Sequence, residues 1–225
     1  MSFICKVCNT NIELDHCLQV NTTCRFTQKA LNRYKCTNCG VIFGSLEMIN
    51  MSKENLLIEH NNHYLTHEES ASQEFEIKTF LSLNPNKNGI YLDWGFGRKS
   101  VVIDRLNNDG FNVYGFDLYS NIIGDKIITD IEKIKEIKFD GIFSNNLIEH
   151  LQNPIKELQF MNSILKPQAK MAHSTACYSY LYEYSLFHLY FYVDNSIEYL
   201  CKNTGFSIVE KIINGEDINI IYCKN

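Results

Sequence analysis

The sequence lacks any long hydrophobic run, contains little proline and carries no large excess of one charge. No segment approaches the ~18 uninterrupted apolar residues that a membrane-spanning helix requires. Only three of 225 residues are proline, 21% are charged and the formal net charge is -5, which excludes fibres and disordered charged tails. Residues 1–8 lack the basic region and apolar core of a secretory signal. We therefore expect a soluble, cytoplasmic, globular protein.

Cysteine, by contrast, is abundant: six of the nine cysteines fall in the first forty residues. Two Cys-x-x-Cys pairs stand out, Cys5 with Cys8 and Cys36 with Cys39, and each can present two thiolates to a tetrahedral zinc ion. Disulfides would require an export route, for which the sequence shows no signal. We predict a structural zinc held by these four thiolates in a zinc-ribbon-like module over residues 1–45. Three residues between the pairs remain open as further ligands: His16, Cys17 and Cys24.

The pattern of the remaining chain predicts an α/β domain. Residues 46–87 are expected to form a helical connector, with a helix over residues 72–83 that ends before Pro85. Strand and helix signals then alternate, which is typical of a βαβ unit in a parallel sheet. The predicted elements of this unit are a strand at 90–94, a helix at 99–108 and a strand at 112–118.

A glycine turn between the first strand and its helix indicates a nucleoside site. Gly95 and Gly97 allow a ligand to approach the backbone, and Asp117 ends the second strand, where a carboxylate can accept hydrogen bonds from both ribose hydroxyls. Ser100 occupies the position of the third glycine in the dinucleotide motif, which disfavours a nicotinamide cofactor. Asp93 would repel a pyrophosphate but suits the cationic amino-acid end of S-adenosylmethionine. The residues therefore favour S-adenosylmethionine.

Residues 88–225 resemble a class I S-adenosylmethionine-dependent methyltransferase domain of the type 11/12/23-like, small-molecule or sugar branch. The resemblance lies in "YLDWGFG", "VYGFDLYS" and "FDGIFSNNLIEHLQNPIKELQFMNSILKPQAKM". It implies a Rossmann-like seven-stranded sheet with helices on both faces, strand four at 139–144 and an antiparallel last strand at 218–224. It also implies the following cofactor-binding residues: Asp93, Gly95, Gly97, Asp117, Leu118, Asp130, Ile131 and Asn145.

Proton removal from an acceptor would need a base, and histidine suits this role at neutral pH. The candidates are His150, His173 and His188, and we predict His188 first and His150 second. His188 lies in residues 178–192, which contain eight aromatic residues in fifteen. This segment could stack on a flat acceptor, or it could pack on the core or on the second subunit of a homodimer.

The acceptor is predicted to be a small polar molecule, because some sugar methyltransferases that resemble this chain also carry a four-cysteine zinc module. We expect a sugar or a capsule or lipooligosaccharide precursor. RNA is the alternative, because the first forty residues have five basic and two acidic side chains, a net charge of +3. The other residues then carry a net charge of -5 minus 3, or -8, which opposes binding to a phosphate backbone. A non-catalytic binding protein with the same fold is a third hypothesis.

Overall fold

The computed structural model describes residues 1–66, 73–179, 181 and 185–225. The first part of the chain forms short strands and two helices: β1 (Ser2–Ile4), β2 (Asn11–Glu13), β3 (Leu18–Thr23), β4 (Ala30–Lys35), β5 (Ile42–Phe43), α1 (Leu46–Ile49) and α2 (Lys53–Thr66). Helix α3 (Gln73–Ser82) then leads into the α/β part. Its elements are β6 (Ile90–Trp94), α4 (Val101–Asn108), β7 (Asn112–Phe116), β8 (Ile127–Ile128), α5 (Ile131–Lys135), β9 (Phe139–Asn145), α6 (Pro154–Ile164), β10 (Leu165–Ser174), β11 (Tyr190–Phe191), α7 (Ser196–Thr204), β12 (Phe206–Asn214) and β13 (Asp217–Lys224).

The central sheet has seven strands in the order β12-β13-β10-β9-β6-β7-β8. Strands β10, β9, β6, β7 and β8 run parallel, while β13 pairs antiparallel with both β10 and β12. This arrangement confirms the predicted α/β class, the seven-stranded sheet and the antiparallel last strand. Because the parallel strands share one direction, their carboxyl ends meet at one edge, where α/β proteins bind ligands.

The boundaries of the βαβ unit differ slightly from the predicted ones. Strand β6 has the predicted bounds, but α4 begins at Val101 rather than residue 99, and β7 ends at Phe116 rather than residue 118. The strand stops early because Asp117 directs its side chain back to the main chain: its Oδ1 accepts the N–H of Tyr119 at 2.7 Å. The predicted helix at 72–83 is found over Gln73–Ser82, and residue 72 lies outside the described part.

The central sheet is covered on both faces, so its inner strands are apolar on both sides. In β6, Tyr91 packs in one core with Phe80 of α3, whereas Leu92 and Trp94 belong to the larger core on the other face. That larger core also contains Val7 and the four paired cysteines, so it is continuous with the N-terminal part of the chain.

A second sheet joins distant parts of the chain in the order β11-β5-β4-β3. Tyr190 of β11 pairs with Phe43 of β5, and Phe191 pairs with Ile42. The segment that follows β10 therefore completes a sheet whose other strands lie in the first 43 residues. None of the described helices is long and apolar enough to cross a membrane.

The aromatic segment at 178–192 contributes mainly to the core. This holds for its described residues, which do not include residues 180 and 182–184. Tyr178, Tyr190 and Tyr192 are buried. Tyr192 donates its hydroxyl to the carbonyl of Ile148 at 2.8 Å, and the hydroxyls of Tyr178 and Tyr222 are 2.8 Å apart. Each hydroxyl thus has a partner in the interior, as buried tyrosines require.

His173 of β10 is fully buried, and its Nδ1 atom is hydrogen-bonded to the hydroxyl of Ser144. Burial lowers the pKa of His173 to about 3. The unfolded chain therefore binds a proton at pH values where the folded chain does not.

We expect this proton linkage to destabilise the fold as the pH falls from about 6.5 toward 3, by up to ~1.4 kcal/mol per pH unit from His173. Urea unfolding of wild type and His173→Asn at several pH values measures it, and the variant should show a smaller loss of stability in acid. His16→Gln, at an exposed histidine, is the control and should follow the wild type. Equal pH slopes for wild type and His173→Asn would contradict the assignment.

Candidate functional site

The turn after β6 requires its glycines. Gly95 and Gly97 have φ angles of +83° and +75°, which residues with a Cβ atom rarely adopt. A Cβ atom on Gly95 would lie 2.6 Å from Cδ1 of Leu147. The N–H of Gly95 donates to the carbonyl of Phe116 at 2.7 Å, which ties the turn to the end of β7. The turn therefore leaves its backbone close to the edge where the strands end.

Asp117 is fixed beside this turn. Its Oδ2 accepts the N–H of Gly97 at 3.0 Å, and its Oδ1 accepts the N–H of Tyr119 at 2.7 Å. These bonds hold an acceptor-only group at the carboxyl end of β7, where a ribose could donate both hydroxyls. The adjacent Leu118 is 58% exposed, so its side chain is available to a ligand.

Asp93 lies behind the turn and is only 1% exposed. Burial raises the pKa of this carboxyl well above its ordinary range, and the nearby carboxyls of Glu76 and Asp117 raise it further. A proton or a nearby cation would relieve this concentration of negative charge. Asp93 therefore lies in a buried acidic group beside the glycine turn, and its predicted role in organising the site for the cationic end of the cofactor stays a prediction.

The other predicted cofactor residues lie along the same edge. Asp130 caps α5 by accepting the N–H of Glu132 at 2.9 Å, and Ile131 is the first residue of that helix. Asn145 is the last residue of β9, next to β6 in the sheet. The predicted cofactor residues, from Asp93 to Asn145, span 52 positions of the sequence. The structure places them at the carboxyl ends of four parallel strands or just beyond those ends.

The residues of this edge fit S-adenosylmethionine in three respects. The glycine turn provides backbone that no Cβ obstructs, Asp117 provides an acceptor for ribose hydroxyls, and the buried acidic group around Asp93 favours a cationic ligand. The structure thus gives the motif residues a backbone and a charge environment that fit the predicted cofactor. The roles of the individual residues remain predictions.

The two predicted base residues, His188 and His150, are 38 positions apart but adjacent in space. Their ring centroids are 4.8 Å apart and the rings pack edge to face. His150 ends a 3-10 turn, Ile148–His150, that follows β9, and His188 lies just before β11. His173, by contrast, is sealed in the core, so the candidates that border the site are the adjacent pair.

The four paired cysteines form a compact cluster of buried sulfur atoms. The Sγ atoms of Cys5 and Cys39 are 3.9 Å apart, and those of Cys8 and Cys36 are 3.7 Å apart. Zinc–sulfur bonds of ~2.3 Å in a tetrahedron would separate the sulfurs by about 3.8 Å. The cluster therefore has the dimensions of a four-thiolate zinc site.

The two Cys-x-x-Cys turns share one backbone design. In each, the N–H of the first cysteine donates to the carbonyl five residues later, Thr10 or Val41, and the N–H four residues later donates back to that cysteine's carbonyl. The residue after each pair has a positive φ angle, at Asn9 and Gly40. His16 is exposed, and Cys17 and Cys24 lie outside the cluster, so the described residues supply four sulfur ligands and these three residues are not among them.

Arg33 is a residue of the site region that the sequence did not reveal. It lies in β4, has no exposed surface, and its guanidinium donates to the carbonyls of Gly44, Ser185 and His188 at 2.6–2.8 Å. The guanidinium also packs over the Phe191 ring at 5.1 Å. Arg33 thus fastens the segment that carries His188 to the N-terminal sheet. No local signal marks it, because two of its three carbonyl partners lie more than 150 residues away.

A family model described as a methyltransferase domain matches residues 63–211, about two thirds of the chain. The chain belongs to this family. The match confirms the predicted enzyme class, an S-adenosylmethionine-dependent methyltransferase. No curated protein matches the methyltransferase chain.

Solved structures share the fold of this methyltransferase at low sequence identity. One is Burkholderia thailandensis 1,6-didemethyltoxoflavin-N1-methyltransferase with bound 1,6-didemethyltoxoflavin and S-adenosylhomocysteine, with a TM-score of 0.58 and 12% identity over 91% of this chain and 100% of that chain. Another is the N-methyltransferase NodS from Bradyrhizobium japonicum WM9 in complex with S-adenosylhomocysteine, with a TM-score of 0.50 and 12% identity over 75% of this chain and 98% of that chain.

The four-cysteine cluster makes a direct prediction about metal content. Cys36→Ser should lose about one zinc equivalent per chain and become sensitive to proteolysis near its N-terminus, because a structural zinc supplies folding free energy to a short segment. Elemental analysis by mass spectrometry and limited proteolysis measure these effects. Cys17→Ser is the matched control, since Cys17 is buried but outside the cluster, and it should keep its zinc. Equal zinc content in the two variants would contradict the site.

Proposed function

We propose that this methyltransferase transfers a methyl group from S-adenosylmethionine to a small polar acceptor, with a sugar or surface-glycan precursor as the favoured class. The observation that carries the cofactor part is the bond between the Gly97 N–H and the Asp117 carboxylate. It joins the glycine turn to the ribose-binding candidate at the ends of two neighbouring parallel strands.

The cofactor supplies an activated methyl group on a sulfonium. The protein therefore has mainly to hold the cofactor, align the acceptor with the methyl group and remove the acceptor's proton. Gly95 and Gly97 would accommodate the methionine part, and Asp117 would accept the ribose hydroxyls. Asp130 and Ile131 would flank the adenine. Asn145, at the end of β9, would line the site past that strand. Leu118 would line the cofactor site, and Asp93 would help to organise it for the cationic amino-acid end.

The His150–His188 pair supports a base on the acceptor side. A neutral imidazole can take the proton of an acceptor hydroxyl or ammonium group as the methyl is transferred, provided it lies within hydrogen-bond reach. We propose His188 as the base and His150 as its neighbour and second candidate. Both follow strands that end at the cofactor edge, His150 after β9 and His188 after β10.

The preference for a small acceptor is supported by the net charge of the chain and by a structural neighbour. The net charge of -5 disfavours a large phosphate backbone. A structural neighbour is named as acting on 1,6-didemethyltoxoflavin, a small molecule, and shares the fold over 91% of this chain. The choice of a sugar rests on the resemblance to sugar methyltransferases with a four-cysteine module. In this proposal the zinc of Cys5, Cys8, Cys36 and Cys39 has a structural role, since four thiolates leave no position for a substrate.

Cofactor binding is expected to depend on Asp117. Asp117→Asn should weaken S-adenosylhomocysteine binding about 10- to 100-fold, because hydrogen bonds to a charged group contribute about 1.5–3 kcal/mol. Isothermal titration calorimetry measures the affinity. Asp109→Asn, at an exposed aspartate beyond α4, is the control and should bind like the wild type. A wild-type protein that releases no binding heat at high ligand concentration would refute the cofactor assignment.

The acceptor class can be tested with a radiolabelled methyl donor and a panel of sugar nucleotides, free sugars and RNA. We expect label in a sugar derivative. His188→Gln should lower kcat by ~10²-fold or more, because the imidazole of His188 is the proposed base. Label in RNA would replace the sugar proposal with the RNA hypothesis. Cofactor binding without label in any acceptor would favour the non-catalytic hypothesis.

A further inference from the structure

A second group of metal-ligating side chains lies apart from the four-cysteine cluster. Glu149, Cys177 and His188 come from distant positions, yet one ligand atom of each lies within 4.8 Å of the others. The Sγ atom of Cys177 is 3.5 Å from Nδ1 of His188. Glu149 and Cys177 are each 1% exposed, and His188 is half-buried.

The backbone holds these three residues in place. The N–H of Leu189, next to His188, donates to the carbonyl of Glu149 at 2.8 Å, and the N–H of Tyr192 donates to the carbonyl of Cys177 at 2.9 Å. The Glu149 carboxylate is oriented by the Thr175 hydroxyl, which donates to Oε1 at 2.5 Å. A carboxylate fixed in this way resembles the hydrogen-bonded ligands of metal sites.

The distances and ligand types suit zinc. Bonds of about 2.3 Å to sulfur and 2.0–2.1 Å to nitrogen in a tetrahedron would place the two ligand atoms about 3.6 Å apart. The Cys177–His188 distance of 3.5 Å agrees with this value. Metal binding would deprotonate the Cys177 thiol and the Glu149 carboxyl, and a divalent cation would neutralise the two resulting negative charges.

We propose that Glu149, Cys177 and His188 bind a second divalent metal ion of the zinc class. Three protein ligands of mixed type are the pattern of zinc sites that keep a position for water or substrate, unlike four-thiolate sites. Glu149 follows β9 and Cys177 follows β10, so the site lies at the same sheet edge as the cofactor residues. The His150 and His188 rings pack edge to face, so a second imidazole lies beside the proposed metal site.

The location suggests a role on the acceptor side. A metal ion there would bind an oxygen or nitrogen of the acceptor and lower its pKa, which assists methyl transfer to it. This role rests on the proposed function, whereas the presence of the metal does not. In this arrangement His188 would be a metal ligand, and the role of base proposed for it above would pass to the second candidate, His150.

The metal content of the full chain tests the site. We expect about two zinc equivalents in the wild type and about one in Cys177→Ser and in His188→Gln, as measured by mass spectrometry after zinc loading and gel filtration. Cys201→Ser and His16→Gln are the matched controls, one at a buried cysteine of α7 and one at an exposed histidine, and both should retain about two. One equivalent in the wild type, or two in both site variants, would overturn the proposal.

X-ray absorption of the wild type provides a check that needs no variant. One four-thiolate site together with one site of a single sulfur should give an average of about 2.5 sulfur ligands per zinc, whereas the four-thiolate site alone gives about four. An average near four would overturn the second site. Calorimetry with S-adenosylhomocysteine on the same samples separates the two proposals, because a protein with two zinc ions that fails to bind this ligand keeps the metal site and loses the cofactor assignment.

Discussion

The buried guanidinium of Arg33 connects the N-terminal sheet to the methyltransferase core. A charge without exposed surface is costly unless it is hydrogen-bonded, and Arg33 donates to the carbonyls of Gly44, Ser185 and His188. Moving residues 185–191 would remove two of these three carbonyl partners. Arg33 and the pairing of β11 with β5 therefore tie the segment with His188 to the part of the chain that carries the four-cysteine cluster.

Local signals in the sequence predicted the parts of the fold that local interactions determine. The βαβ unit followed from hydrophobic periodicity, and the turn at Gly95 and Gly97 followed from the need for positive φ angles. The two Cys-x-x-Cys pairs were recognisable because each pair sits on one tight turn, although the approach of one pair to the other depends on the fold between them. Strand four and the antiparallel last strand came from the family resemblance.

Other features depend on contacts that no sequence window contains. Strand β11 has only two residues and pairs with β5, nearly 150 positions earlier, so its pattern could not be recognised. Cys177 belongs to no Cys-x-x-Cys pair in the sequence, and only the fold brings it to His188 and Glu149. The position of Asp93 in the motif was clear from the sequence, but the burial of its carboxyl beside Glu76 of α3 depends on the fold.

The second sheet imposes an order on folding during synthesis. Strands β3, β4 and β5 emerge from the ribosome early, yet β11 must follow by about 150 residues before the sheet is complete. Until then Arg33 lacks two of its three carbonyl partners, and the edge of β5 is open to other chains. Early zinc capture by the cysteine pairs would keep this unfinished sheet in register, so metal supply during translation would affect the yield of active enzyme as well as its final stability.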